Sequence, residues 1–265
     1  MIDPQIAGKV ALVTGTNNPQ GIGAATARAL AAQGVRVFGV YTGTPSGAEV
    51  AGRVRSAGGD MAVGELDITE PGAAATAFDA AEQAFGPVDI LVNNACSSGE
   101  DTFLPVAAEQ RDWAGRALAT IDAGTFARHF LINSRAPALL IAELARRHID
   151  RGASWGRIVN VSTDGAAGFP GEISYWASKA ALESYSRAAA RELAPHGITV
   201  NIVSPGPVQT GWIPDDQVAR MDADIPLGRV GRPEDIADAI IFLVSEQAQW
   251  ITGQLLRING GHRMS

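Results

Sequence analysis

Two side chains able to move a proton stand four residues apart in Ser174-Tyr175-Trp176-Ala177-Ser178-Lys179. The stretch lies early in an Ala-rich run with no Gly or Pro until Pro195, a composition that favours helix. On a helix, residues four apart share a face, so the Tyr175 phenol and the Lys179 ammonium can enter one site. A free phenol ionises near pH ~10, too high for proton exchange at neutrality, and a neighbouring cation favours the phenolate. Lowering that pKa by roughly two units takes about 2.7 kcal/mol of differential stabilisation. Alone, the pair reads as a half-buried tyrosine and a solvated lysine. However, Lys9 and Lys179 are the chain's only two lysines, and arginine carries its other side-chain cations. A retained ammonium at 179 therefore points to a specific role.

Two further features make a constellation. Lys9–Thr14 is a short apolar run that reads as a buried parallel strand. It breaks at Gly15, and Gly21-Ile22-Gly23 then opens the helical pattern 24–33. Strand, glycine turn and helix together form an arrangement that brings a pyrophosphate onto backbone N–H groups. The apolar run 157–161 ends in two hydroxyls, Ser162-Thr163.

Together these residues resemble the short-chain dehydrogenase/reductase family from about Gly8 to Gly261. The resemblance implies one doubly wound α/β domain with a mainly parallel sheet, covering residues 1–265. It implies hydride transfer between a nicotinamide and a carbonyl or alcohol, such as a 3-oxoacyl thioester. Tyr175 would exchange the proton and Lys179 would lower its pKa and bind ribose. A hydroxyl at the strand end would polarise the carbonyl, and Asn133 would bend its helix and hold a water serving Lys179. Counting back from Tyr175 selects Ser162, whereas strand register selects Thr163. A one-residue slip reverses a strand's side chains, so Thr163 is the favoured reading.

For the cofactor, the resemblance implies Gly15, Asn17, Gly21, Ile22 and Gly23 at the pyrophosphate. Tyr41 and Thr42 would lie near the adenosine ribose, Asp67 and Ile68 at the adenine, and Asn94 and Ala95 at the second ribose. Pro205, Gly206, Val208 and Thr210 would hold the carboxamide. Asp67 reads equally well as part of a helix N-cap with Thr69, and Asn93 as a brace of the sheet. The strand 35–41 ends in Tyr41-Thr42-Gly43-Thr44 with no carboxylate to repel a 2′-phosphate. That favours NADP over NAD, although the family's usual arginine is absent and Arg53 and Arg55 are the nearest replacements.

The sequence also departs from the family. Five residues, Thr16 to Gln20, separate the first two glycines where three are usual, as in the enoyl-thioester reductase branch. That branch, however, spaces its Tyr and Lys more widely. Cys96 replaces a glycine and reads as a small buried residue, and Asn259 stands where Asp is common. The segment 97–121 is extended by roughly fifteen residues, a length associated with lids and interfaces. Around Trp113 and Leu118 it reads as part helical. Residues 211–225 read as an irregular substrate loop. The remaining expected elements are helices 48–57, 73–85, 124–149 and 233–245, and strands 61–66, 88–92, 198–203 and 251–258.

A net charge of -7 without a basic run excludes nucleic acid and anionic membrane as expected partners. The absence of an eighteen-residue apolar stretch argues against a bilayer span, and four histidines form no metal pattern. One cysteine and an N-terminus without signal character favour the cytoplasm. The apolar faces of 124–149 and 172–194 resemble the family's inter-subunit contact, implying a homotetramer or dimer. A non-catalytic nucleotide-binding scaffold is the alternative of another class, and the complete set of catalytic residue types argues against it.

Overall fold

The computed structural model describes residues 3–43, 46–105, 111, 116–166, 168 and 170–263. Thr44 and Trp113 lie outside the described residues. A seven-stranded sheet forms the centre, built from β1 (Val10–Thr14), β2 (Arg36–Tyr41), β3 (Met61–Glu65), β4 (Ile90–Asn93), β7 (Gly156–Val161), β8 (Ile198–Pro205) and β9 (Leu255–Ile258). Its strand order is β3-β2-β1-β4-β7-β8-β9, and neighbouring strands pair in parallel. This is a single-domain, Rossmann-like doubly wound fold.

Alternate residues of the short apolar strands serve two cores. Ala11 and Val13 face α1 (Ile22–Ala32), α2 (Ser46–Ser56) and α8 (Pro233–Val244). Val10 and Leu12 face α3 (Ala73–Phe85), α5 (Ala136–Asp150) and α6 (Ile173–Leu193). Period-two alternation in a strand with helices on both sides requires apolar residues at every position. The chain winds outward in both directions from β1 and β4, whose carboxyl ends therefore flank the crevice where such folds bind ligands.

Two expectations about local structure are corrected. The expected partly helical stretch 100–120 instead places β5 (Asp101–Thr102) beside β6 (Ala119–Thr120) in a parallel pair. Asp and Thr are weak helix formers, and Asp101 also bridges to Glu172 at the start of α6. The expected irregular segment 211–225 contains α7 (Asp215–Asp224), with Pro214 at its N-cap and two acids in its first turn. Val218 and Met221 of this helix pack with Ile213, Ile225 and Val230. Sparse apolar spacing in a polar stretch concealed that face.

The expected helix 124–149 is three pieces: α4 (Ala123–Phe130), a π-helical stretch Leu131–Arg135, and α5. Asn133 lies in the π-helical stretch and is fully buried. Such a bulge turns a side chain away from the regular helical face.

Candidate active site

The turn after β1 is shaped by close backbone approach. Gly15 has φ +75°, and a Cβ there would lie 2.8 Å from both Ala95 Cα and Asn94 Nδ2. A Cβ at Gly23 would meet the Gly15 carbonyl oxygen at 2.3 Å. No side chain fits at either position. Gly21 occupies the α1 N-cap without a side-chain cap, and the first turn holds no acid. An uncapped helix start behind a glycine cradle fits a dinucleotide's pyrophosphate. Asn17 and Ile22 are half-buried beside it. Within the extended turn, Asn18 accepts the Gln20 N–H through its side chain and donates Nδ2 to the Thr210 carbonyl at 2.8 Å. The longer turn is thereby fastened to the loop after β8.

The Asn94 amide nitrogen donates to the Thr14 and Gly15 carbonyls at 2.9 and 3.1 Å, bracing the glycine turn. Asn94 and Ala95 both donate their backbone N–H groups to Thr14 Oγ1. Asn93 braces the sheet through Asn160 Oδ1 at 2.7 Å.

At the end of β2, the half-buried Tyr41 ring covers Gly47, and Thr42 is exposed. Arg53 is paired with Glu49 at 2.6 Å, and Arg55 donates to the Met61 carbonyl at 2.7 Å. Asp67 accepts from the Thr69 N–H and hydroxyl at 2.8 and 2.7 Å. This is a local turn and not a helix N-cap, since α3 starts at Ala73 behind Gly72. Ile68 is half-buried against the core.

The chemistry-bearing residues meet where β7 and α6 come together. Thr163 is half-buried two residues beyond the end of β7, and its side chain favours the ionised form of the Tyr175 phenol. Ser162 points elsewhere: it is buried and donates to Glu183 Oε1 at 2.8 Å. Successive strand residues face opposite ways, so Ser162 follows Asn160, which reaches α6 at Ser186. The Ser162 hydroxyl is thus engaged by Glu183, and Thr163 follows it along the chain.

Lys179 is 2 % exposed, and its Nζ donates to the Val161 carbonyl at 2.7 Å. Burial pushes its pKa down, against the pull of the Cys96 and Glu183 charges. The Tyr175 phenol is pushed well above its ordinary value, first by burial and then by negative charge at Cys96, Glu172 and Asp164. Thr163 acts in the opposite direction, and desolvation of the phenolate is the largest of these influences. Asn133 Nδ2 donates to the Ser97 carbonyl at 2.8 Å and to Ser178 Oγ at 2.9 Å, while its Oδ1 accepts the Ser97 N–H. It ties the loop after β4 to α6 one residue before Lys179.

Beyond β8, Pro205 ends the strand, and Val208 is buried and bridges to Gly231. A Cβ at Gly206 would sit 2.7 Å from Asn259 Cβ and 3.2 Å from Asp164 Oδ2. Thr210 is half-buried, with its carbonyl held by Asn18.

Four contributors were missed or misread in the sequence. Cys96 is exposed, not buried, because the chain leaves the sheet after Asn93. Fully buried His129 turns Nδ1 to the Ser97 carbonyl at 3.0 Å and sets its ring edge-on to Tyr175, with centroids 6.4 Å apart. Buried Asp101 accepts the Ser174 N–H at 2.9 Å, capping the start of α6 from outside the helix. Arg116 pairs with Glu100 at 2.6 Å and Glu172 at 2.8 Å, and its guanidinium lies 5.7 Å from the Trp212 ring centroid. A histidine four residues before Asn133 was a readable signal. The other partnerships join segments too distant for a local pattern.

These features define a nucleotide-binding α/β oxidoreductase, and the chain belongs to the short-chain dehydrogenase/reductase family. A family model described as enoyl-(acyl carrier protein) reductase matches residues 15–263. An uncharacterized oxidoreductase, YjdA of Bacillus subtilis, is 34% identical over 256 residues, covering 96% of each chain. The 3-oxoacyl-[acyl-carrier-protein] reductase FabG of Escherichia coli is 36% identical over 262 residues, covering 97% of this chain and 98% of FabG. Among solved structures, a dehydrogenase/reductase from Sinorhizobium meliloti superposes with a TM-score of 0.82 at 32% identity, covering 99% of this chain and 98% of that one.

Proposed function

We propose that this oxidoreductase transfers a hydride between a nicotinamide dinucleotide and a carbonyl/alcohol pair, with 3-oxoacyl thioesters the favoured substrate class. The observation that carries the reading is Tyr175 one turn of α6 before buried Lys179, whose Nζ is held at 2.7 Å by the carbonyl of Val161 at the end of β7. When bound, the nicotinamide supplies or accepts the hydride. Gly15, Gly21, Ile22 and Gly23 would hold its pyrophosphate, with Asn17 alongside and Asn94 and Ala95 fixing the turn. Tyr41 and Thr42 would line the adenosine ribose, Asp67 and Ile68 the adenine, and Pro205, Gly206, Val208 and Thr210 the carboxamide.

Tyr175 is neutral at pH 7 in this environment and so holds the proton that a reduced carbonyl oxygen requires. Thr163 donates a hydrogen bond to the same oxygen as charge develops on it. Lys179 supplies a cation for a ribose hydroxyl and for the phenolate left after transfer. Asn133 keeps the Ser97 loop and α6 in register during the exchange.

The 2′-phosphate form, NADP, is the favoured cofactor because no carboxylate ends β2. Arg53 can turn from its exposed pair with Glu49 at small cost. NAD is the alternative. Enoyl-thioester reduction is the second reading, favoured by the extended Thr16–Gln20 turn and opposed by the short Tyr175–Lys179 spacing. Exposed, unpaired Cys96 supports a reducing, cytoplasmic setting.

The test is turnover on a panel of ketones, 3-oxoacyl thioesters and enoyl thioesters with NADPH and NADH. The 3-oxoacyl thioesters should lead, with NADPH preferred, and Tyr175→Phe should lose about a hundredfold or more in kcat while still binding cofactor. Near-normal turnover by Tyr175→Phe, or a preference for NADH above roughly tenfold, would overturn the corresponding part of the reading.

A further inference from the structure

The residue after Thr163 carries a carboxylate that the proposed mechanism does not use. The Asp164 side chain is only 6% exposed, and its Oδ2 meets His262 Nδ1 at 2.9 Å and Asn259 Nδ2 at 3.3 Å. Both partners come from the turn after β9, and Gly261 N–H closes that turn on Asn259 Oδ1 at 3.1 Å. Asp164 also donates its own N–H to the Pro205 carbonyl at 2.9 Å, and Gly206 donates to the Ile258 carbonyl at 3.2 Å. The end of β7, the turn after β8 and the turn after β9 are therefore joined around one carboxylate. The absence of a side chain at Gly206 lets the three close together.

A largely buried carboxylate is costly unless its oxygens receive hydrogen bonds. Here the donors come from the turn after β9, while the carboxylate lies on the residue following the reacting hydroxyl. We propose that His262 and Asn259 are positioning residues: by holding Asp164 they fix the backbone that carries Thr163 and sets Gly206 beside it. This rests on the hydride-transfer reading for its kinetic consequence, whereas the positioning itself is a property of the folded chain.

His262→Ala removes one donor, and His262→Asn returns an amide N–H close to the Nδ1 position. Asn259→Asp replaces the second donor by a carboxylate facing Asp164. Displacing a reacting group by about 1 Å can cost up to a hundredfold, so a partial release predicts about a tenfold fall in kcat for His262→Ala. Cofactor affinity, read by nicotinamide fluorescence, should stay within about twofold, because the glycine turn after β1 is untouched. His262→Asn should recover most of the loss, and Asn259→Asp should lose at least as much as His262→Ala.

A charge readout separates positioning from simple stability. The groups acting on the Tyr175 phenol are Cys96, Glu172 and Asp164, which oppose its ionisation, and Thr163, which favours it. Lys179 stands on the next turn of the same helix, His129 of α4 sets its ring edge-on to Tyr175, and His262 and Asn259 face Asp164. Asp164→Asn should therefore move the pH limb assigned to Tyr175 toward lower pH, whereas Asp164→Glu should not.

Hydrogen exchange provides an arm independent of turnover. Amides in 161–166 and the single amide of Gly206, which lies between two prolines, should exchange faster in His262→Ala and return to wild-type protection in His262→Asn. If the wild-type chain reduces nothing on the panel, the hydride-transfer reading fails while this arm still decides the positioning. Unchanged protection in a folded His262→Ala protein would overturn the proposal. So would unchanged kcat in an active enzyme, or a His262→Asn variant as impaired as His262→Ala.

Discussion

Side chains on neighbouring residues have different duties beyond the end of β7. Ser162 donates to Glu183 Oε1, and Thr163 favours ionisation of the Tyr175 phenol. Thr163→Val should therefore lower kcat by about a hundredfold or more, the range of 2.7–4 kcal/mol typical of a lost oxyanion donor. Ser162→Ala should cost less than about tenfold, because its partner Glu183 keeps Arg187. Steady-state kinetics on the best substrate of the panel rank the two, and a reversed order would return the role to Ser162. Lys179 shows a second division of duties. Its ammonium is buried, with its Nζ on one carbonyl, and desolvation works against its charge. Lys179→Met keeps the volume and removes the buried charge, so the fold should hold or gain about 1 kcal/mol while turnover collapses. Thermal melting beside the turnover assay checks both halves.

At the scale of elements, α6 carries the site residues, yet its first turn is finished by another segment. Glu172 stands at its N-cap with no side-chain cap, and Asp101 supplies the missing acceptor from β5. Asp101→Ala should cost about 1 kcal/mol of stability, as the loss of a helix cap usually does. It should also lower kcat more than cofactor affinity, because the freed Ser174 N–H lies one residue from Tyr175. A melting curve with a fluorescence titration tests this, and equal losses in both kinetic terms would argue for a general weakening. Much of this level was legible in the sequence. The Val- and Leu-rich strands, the Pro-free run of α6 and the glycine turn each state their structure locally. The β5–β6 pair was not legible, because a two-residue strand has no period and Asp101 acts through a residue 73 positions away. Nor was α7, whose apolar contacts are spaced thinly among acids. The candidate site divided along the same line: Tyr175 and Lys179 announce themselves by spacing and Thr163 by strand register, whereas Asp101, Asp164 and Arg116 acquire meaning only from contacts across the fold.

For the whole molecule, one apolar face has no partner among the described residues. Phe126, Leu139 and Tyr185 are each about half exposed, and Phe126 stacks on Phe130 with centroids 4.3 Å apart. They line one groove across α4, α5 and α6 with Ala127, Leu131 and Ala138. Apolar side chains gathered in this way favour association between copies, and closed symmetry makes each face serve its twin. A homotetramer, or failing that a dimer, is expected by light scattering at micromolar concentration. Phe126→Glu should shift it toward monomer, because an ionised carboxylate cannot enter such a contact unpaired. No helix among the described residues is long and apolar enough to cross a membrane.

Arg116 gives the 97–121 segment a consequence beyond shape. One guanidinium joins Glu100 to Glu172 and lies near Trp212, so three distant stretches of chain share a single cation. Glu172 opposes ionisation of the Tyr175 phenol. A deletion in this segment that took Arg116 with it would therefore change the charge balance at the start of α6, and with it the acid–base behaviour of Tyr175.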